Sequence, residues 1–297
     1  MRYSILGSLE VERDGERIQV DGPRQQALLA TLLLEEGRLV PFGRLIDSVW
    51  DTEPPATARE QVHKCVSELR RLLCPVSPSP RIIETCPPGY MISVGGEELD
   101  HRRMQCAVSA ARAASAAGDG QEAVELLRQA AALWRGPTLD GLSTRVMRAA
   151  AARLDEQRLM ILEDRFDLEL NLGRHRELIG ELVALVIEHP VHEPFVYSLM
   201  VAFYRAGRRP DAVRLYKQIR QTYIDELGLE PGEHLRGLHR SILSADPALL
   251  APVSRPGSAM PVRSQGATPG RLESCSMPES ARFSSSGSAP SRAFSSA

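Results

Sequence analysis

The residues best suited to recognition chemistry in this chain fall in PPATAREQVHKCVSELRRLL, residues 54–73. Arg59, His63, Lys64, Ser67, Arg70 and Arg71 bring guanidinium, ammonium, imidazole and hydroxyl groups into one short segment. Such groups bind phosphate oxygens through charge, and as hydrogen-bond donors they read base edges in the major groove of a duplex. That chemistry needs them on a common face, so their spacing decides whether it can occur. Ala58, Val62, Cys65, Val66, Leu69 and Leu73 recur every three or four residues, which predicts a helix with one buried stripe. At the helical angular step, Lys64, Ser67 and Arg71 lie opposite that stripe. Arg59, His63 and Arg70 flank them on one side, Gln61 and Glu68 on the other. Thr57 and Glu60 have the spacing of a capping box, and Pro54-Pro55 keep the chain before them out of helix.

The outer face of an amphipathic helix is by default simply solvated. What gives this one a sharper reading is the order of elements around it. YSILGSLEVERDGERIQV (3–20) alternates and turns at Asp14-Gly15, a hairpin pattern. Pro23 opens PRQQALLATLLLEEG (23–37), an apolar helix stopped by Gly37, and FGRLIDSVW (42–50) after Pro41 reads as a second, short helix. RIIETCPPGYMISV (81–94) gives two strand-like runs around Pro-Pro-Gly. Sheet, three helices and hairpin make the plan of a winged helix-turn-helix, with the polar ridge on its third helix. Between residues 56 and 74, four basic side chains stand against two carboxylates, so the ridge is locally basic. Residues 1–96 as a whole carry 11 Lys/Arg against 13 Asp/Glu.

PRQQALLATLLLEEGRLVPFGRLIDSVW, PPATAREQVHKCVSELRRLL and PPGYMISV resemble the DNA-binding domain of the SARP family, pathway-specific activators of antibiotic biosynthesis with an OmpR-type winged helix. The resemblance spans residues 1–94. It implies that the third helix enters the major groove at direct repeats in promoter DNA while the wing touches the minor groove or backbone. By position it assigns the recognition role to Arg59, His63, Lys64, Ser67, Arg70 and Arg71. Thr57, near the backbone at the helix start, and Tyr90, which follows the wing's Pro-Pro-Gly, are by the same resemblance expected to contact DNA. Cys86 stands before that Pro-Pro, where the family often has a basic residue. Trp50 reads as core.

Residues 97–251 read as helix after helix. Gly173 and Gly207 are 34 residues apart, each followed by Arg, and NLGRHRELIGELVAL aligns on RAGRRPDAVRLYKQI. AAGDGQEAVELLRQA repeats the step from Gly118 to Ala123, with about 21 extra residues in the connection, assigned to 135–154. A period of 34 in helical sequence is the tetratricopeptide spacing. ALWRGPTLDGL, RLDEQRLMILEDRFDLELNLGRH and DELGLEPGEHLRGLHRSIL resemble the bacterial transcriptional activation domain that follows the winged helix in SARP proteins. This implies contact with RNA polymerase holoenzyme, which the loop DTEPPA (51–56) would share, and a homodimer at least on DNA. The expected fold class is an α+β winged helix-turn-helix domain (1–96) followed by an all-α tetratricopeptide-like domain (97–251). A Ser/Pro-rich tail (252–297) reads as disordered. The competing reading is a tetratricopeptide adaptor whose winged helix docks protein.

Other chemistry finds no support in the sequence. No phosphate loop, dinucleotide fingerprint or nucleophile elbow occurs, so the expectation is no enzyme, no catalytic residues and no cofactor. His189 and His192 straddle Pro190, which argues against an i, i+4 metal pair, and no metal is expected. Five cysteines without a CxxC pair suit a reducing compartment. A net charge of -2 and no long apolar run set the expectation of a soluble, cytoplasmic, nucleoid-associated protein without membrane contact.

Overall fold

The computed structural model describes residues 1–74, 82–95 and 98–251. The chain begins with an antiparallel sheet, β1 (Arg2–Ser4), β2 (Glu10–Arg13) and β3 (Glu16–Ile18), in which Arg13 pairs with Glu16 across the expected Asp14-Gly15 turn. Three helices follow: α1 (Pro23–Leu34), α2 (Phe42–Val49) and α3 (Ala58–Leu73). A second sheet of order β4-β6-β5 forms the wing, from β4 (Val40–Pro41), β5 (Ile83–Cys86) and β6 (Gly89–Ile92). The close pairing of β4 on β6 needs a residue without a side chain. A Cβ on Gly89 would stand 1.9 Å from the carbonyl oxygen of Val40.

The stripe read from the sequence is what seats α3. Ala58, Val62, Val66, Leu69 and Leu73 are buried and Cys65 is half-buried. Val62, Cys65, Val66, Leu69 and Leu73 belong to one core with Leu28, Leu29, Leu32 and Leu33 of α1, Tyr3 and Val11 of the first sheet, and Ile5 just after β1. Trp50 packs against the same core as expected, with the Arg24 guanidinium 5.5 Å from its ring. Leu139, Leu142 and Met147, from beyond the winged helix, belong to this core as well.

The helical part comprises α4 (Asp100–Ala116), α5 (Gly120–Ala131), α6 (Arg145–Asn171), α7 (His175–Glu188), α8 (Glu193–Arg205), α9 (Arg209–Leu227) and α10 (Glu233–Leu243). The 34-residue spacing corresponds to one repeated turn. Gly118, Gly173 and Gly207 have φ of 85°, 78° and 76°, each between the two helices of a pair. In each, the glycine N–H donates to the carbonyl of Ser115, Leu170 or Tyr204, and the next N–H reaches Ala114, Glu169 or Phe203. This is a Schellman motif, and a left-handed φ is why it takes glycine. Five residues on, Ala123, Leu178 and Ala212 are all buried. The extra length of the first connection is the 132–144 loop together with α6, which is 27 residues long.

The two halves are joined through buried polar groups. The Asp100 carboxylate accepts from the backbone N–H of Ile5 (2.9 Å), Leu6 (2.9 Å) and His101 (2.7 Å). Tyr3 donates its N–H to Glu98 O, and Thr144 Oγ1 donates to Ser48 O at 3.0 Å. Met1–Met260 forms one compact unit. The tail expected to be disordered, 252–297, lies outside the described residues.

Candidate nucleic-acid interface

Helix α3 is held from three sides, and two of the restraints use polar side chains that flank its ridge. On the α1 side, Arg24 Nη1 donates to Gln61 Oε1 at 2.7 Å and Gln25 Nε2 donates to Glu68 Oε2 at 2.5 Å. The second of these bonds engages the Glu68 carboxylate with α1, while Glu60 stays exposed in the first turn. At the C-terminal end, Arg13 Nη2 donates to the carbonyls of Leu72 (2.7 Å) and Leu73 (3.1 Å), in the last turn, where carbonyls lack an intrahelical donor.

The wing side is the most elaborate. Arg70 donates Nε to Ile83 O and Nη2 to Thr85 Oγ1, both at 2.9 Å, and its guanidinium lies 5.5 Å from the Tyr90 ring centroid. His63 Nδ1 lies 2.6 Å from the Tyr90 hydroxyl. Phe42, the first residue of α2, sits edge-on to Tyr90 at 5.3 Å and tilted to His63 at 4.9 Å, with the Arg59 guanidinium 4.5 Å from its ring. Cation–ring contacts of this kind restrain a long side chain without neutralising it. Burial pushes the Tyr90 phenol above its ordinary pKa, so it keeps its proton and can donate to Nδ1. With the hydroxyl donating and Nδ1 accepting, the N–H of the ring lies on its second nitrogen.

The residues singled out from the sequence therefore divide. Lys64, Ser67 and Arg71 are exposed opposite the buried stripe as expected. Among the described residues, neither Lys64 nor Arg71 has an ion pair or hydrogen bond from its side chain. Ser67 Oγ donates to His63 O at 2.9 Å, which spends its proton and leaves its lone pairs facing out. Arg59 and His63 are exposed but held by aromatic neighbours, and Arg70 is half-buried and committed to the wing. Thr57 is exposed, but the capping box does not form. Its φ and ψ of -90° and 10° are not those of an N-cap accepting from the helix, and its hydroxyl accepts from Gln61 Nε2 at 3.0 Å instead. Tyr90 also departs from the expectation that it faces DNA. It is 2% exposed, because the pleat of β6 turns it inward with Ile92, and it contacts His63 and Arg70 from beneath.

Phe42, Arg13, Arg24 and Gln25 were not foreseen as parts of this site. Phe42 carried a signal: an aromatic residue directly after Pro41, at the start of a helix whose buried residues come later, has no local partner. Elsewhere, His192 Nε2 lies 2.8 Å from Glu163 Oε1. Among the described residues no group of three His, Cys, Asp or Glu side chains could hold a metal. No described helix is long and apolar enough to cross a membrane.

Comparison with known proteins places both halves. Residues 15–92 match the family described as transcriptional regulatory protein, C terminal, and residues 99–243 match the bacterial transcriptional activator domain. The regulatory protein AfsR of Streptomyces coelicolor is 41% identical over 250 residues, covering 84% of this chain and 25% of AfsR. The regulatory protein DnrI of Streptomyces peucetius is 32% identical over 256 residues, covering 84% of this chain and 94% of DnrI. Among solved structures, Mycobacterium tuberculosis EmbR in complex with a low-affinity phosphopeptide superposes with a TM-score of 0.79 at 34% identity. That match covers 85% of this chain and 66% of the EmbR chain. The chain thus spans about a quarter of one relative and nearly all of another.

Proposed function

The chain belongs to the SARP family of transcriptional regulators, and from that premise we propose that it activates transcription by reading promoter direct repeats with the outer ridge of α3. One observation carries this reading. Nearly every polar side chain flanking the ridge is tied to protein, yet Lys64 and Arg71 stand exposed at its crest with no ion pair or side-chain hydrogen bond among the described residues. Two such cations on a rigid helix face have their counterpart in phosphate oxygens or guanine edges. His63 supplies an oriented N–H beside them, and Ser67 supplies acceptor lone pairs. Arg59 is positioned for the backbone near the start of α3.

The wing and the exposed 51–56 loop complete the reading. The β5–β6 turn contacts the adjacent backbone, and two copies occupy a direct repeat head to tail. The 51–56 loop and the helical part recruit RNA polymerase, and the genes served are those of a secondary-metabolite cluster. The test is anisotropy titration against promoter fragments from the gene's own neighbourhood, with wild type and Lys64→Ala/Arg71→Ala. The reading requires a repeat-containing fragment bound in preference to random duplex, with loss in the double variant. It also requires a log–log salt slope that falls by about 0.9 for each phosphate contact removed. Undiminished binding by the double variant would refute the assignment of the ridge. A wild type that ignores duplex but retains a protein partner would favour the adaptor reading.

A further inference from the structure

Where α6 passes the winged helix, RVMRAAAARL places methyl side chains at Ala149 and Ala150, and the missing bulk opens a groove of about 580 Å³ against α1 and α2. Its floor is apolar, with Leu34 from α1 and Met147 from α6. Arg145, Ala149 and Arg153 follow at intervals of four along one face of α6, so the two arginines sit about 12 Å apart along the helix axis. Among the described residues, neither the Arg145 nor the Arg153 guanidinium has a protein partner. Arg44, across the groove on α2, is matched by Glu35 at 2.5 Å. The remaining carboxylate in the lining, Asp47, also stands on α2, one turn before Asp51, which accepts the backbone N–H of Arg145. The Arg153 end is therefore the more positive one. Its field reaches His101, whose protonation Arg153 and Arg102 both oppose.

We infer that this groove binds a small organic anion, with an apolar body lying over Leu34 and Ala149 and one acidic group held by Arg153 and Arg44. The volume lies within the range of pockets that take drug-sized molecules. The guanidinium of Arg153, without a partner among the described residues, and the unused donors of Arg44 select a carboxylate, sulfonate or phosphate, and Asp47 disfavours a second acidic group at the far end. The site draws residues from both the winged helix and α6, so an occupant bridges the two and stabilises their contact by mass action. None of this depends on α3 binding DNA.

The probe is 8-anilinonaphthalene-1-sulfonate, an aromatic body bearing one sulfonate, titrated by fluorescence into the full chain. Three variants locate its site. Arg153→Gln removes the charge. Ala149→Phe fills the groove from an exposed position and leaves every charge in place. Ile187→Ser/Leu229→Ser alters exposed apolar residues elsewhere, where the probe could adhere instead. The expected result is saturable binding by wild type and by Ile187→Ser/Leu229→Ser, weakened at least tenfold in both Arg153→Gln and Ala149→Phe. Far-UV circular dichroism verifies that each variant is folded. Arg153→Gln, at an exposed position, keeps the test open should Ala149→Phe fail to fold. The inference is overturned by absence of wild-type binding, by wild-type affinity in either groove variant, or by loss confined to Ile187→Ser/Leu229→Ser.

Discussion

The Tyr90 hydroxyl lies 2.6 Å from Nδ1 of His63, joining the wing to the outer face of α3. One partner is buried and the other exposed, so the bond spends a core residue on orienting a surface one. Tyr90→Phe removes only the hydroxyl. A partly buried hydrogen bond of this kind contributes about 1 kcal/mol, so the denaturant midpoint should fall modestly with no change in m-value. Binding should separate from stability. With His63 free to rotate, immobilising it costs about 0.5–1.5 kcal/mol, so cognate duplex should bind roughly threefold to tenfold more weakly while random duplex is unaffected. Equal losses on both duplexes would contradict a positioning role for Tyr90.

Arg70 and Ser67 share the helix but should fail differently. Arg70→Ala removes two bonds to the β5 strand, one of them to a main-chain carbonyl. The expected cost is about 1–2 kcal/mol of stability, with weaker binding to every sequence alike as the wing loosens. Ser67→Ala removes a hydroxyl bonded only to its own helix, so stability should hold within about 0.5 kcal/mol. Its effect belongs in sequence preference, which selection from a randomised duplex pool would measure. An unchanged preferred site in Ser67→Ala would remove that residue from the readout.

Gly89 tests the wing more severely. A methyl group there meets the Val40 carbonyl carbon at 2.7 Å as well as its oxygen, and both are main chain and cannot swing aside. Gly89→Ala must part β4 from β6, where Pro41 is paired with Gly89. Destabilisation of about 3 kcal/mol or more is expected, read as a large drop in Tm. Gly43→Ala is the matched control, since a Cβ there meets nothing within 4 Å. Similar Tm values for the two variants would show that β4 is not held as described.

What the sequence disclosed follows from the range of the forces involved. The α3 stripe and the three-fold recurrence of Gly118, Gly173 and Gly207 are local patterns, set by helical pitch and by a turn that needs positive φ. They were legible. The inward turn of Tyr90 was legible too, in principle, since period-two alternation puts it on the same face as Ile92; its place beside the Pro-Pro-Gly turn drew attention to contact instead. Thr57 was read from a spacing that ignored Gln61, whose side-chain amide competes for the same hydroxyl. The bond from Asp100 to Ile5 spans 95 residues, and no local pattern encodes it. The same holds for Leu139, Leu142 and Met147 completing the winged-helix core across the 96/97 boundary read from composition.

That long-range joint has a pH signature. Burial, with the positive charges of Arg153 and Arg102, lowers His101 from 6.5 to about 4. An unfolded chain takes up a proton on this imidazole near pH 6.5, whereas the folded chain resists until near pH 4. Between those values the unfolded state binds more protons, so stability is lost as pH falls through the window, by about 3 kcal/mol in total. Asp100 beside it is shifted the other way, since burial raises its carboxyl despite three backbone donors. On acidification the folded chain therefore takes up this proton at a higher pH than the unfolded chain does, and this offsets part of the His101 loss toward the acid end. His101→Gln isolates the imidazole, because glutamine does not titrate and can still hydrogen bond with the neighbouring Gln105 side chain. Chemical denaturation from pH 4 to 7 should show wild-type stability climbing with pH and a flatter profile for His101→Gln. Parallel profiles would mean that His101 is accessible to protons in the folded state, and that the seam between the first sheet and α4 opens more readily than its hydrogen bonds imply.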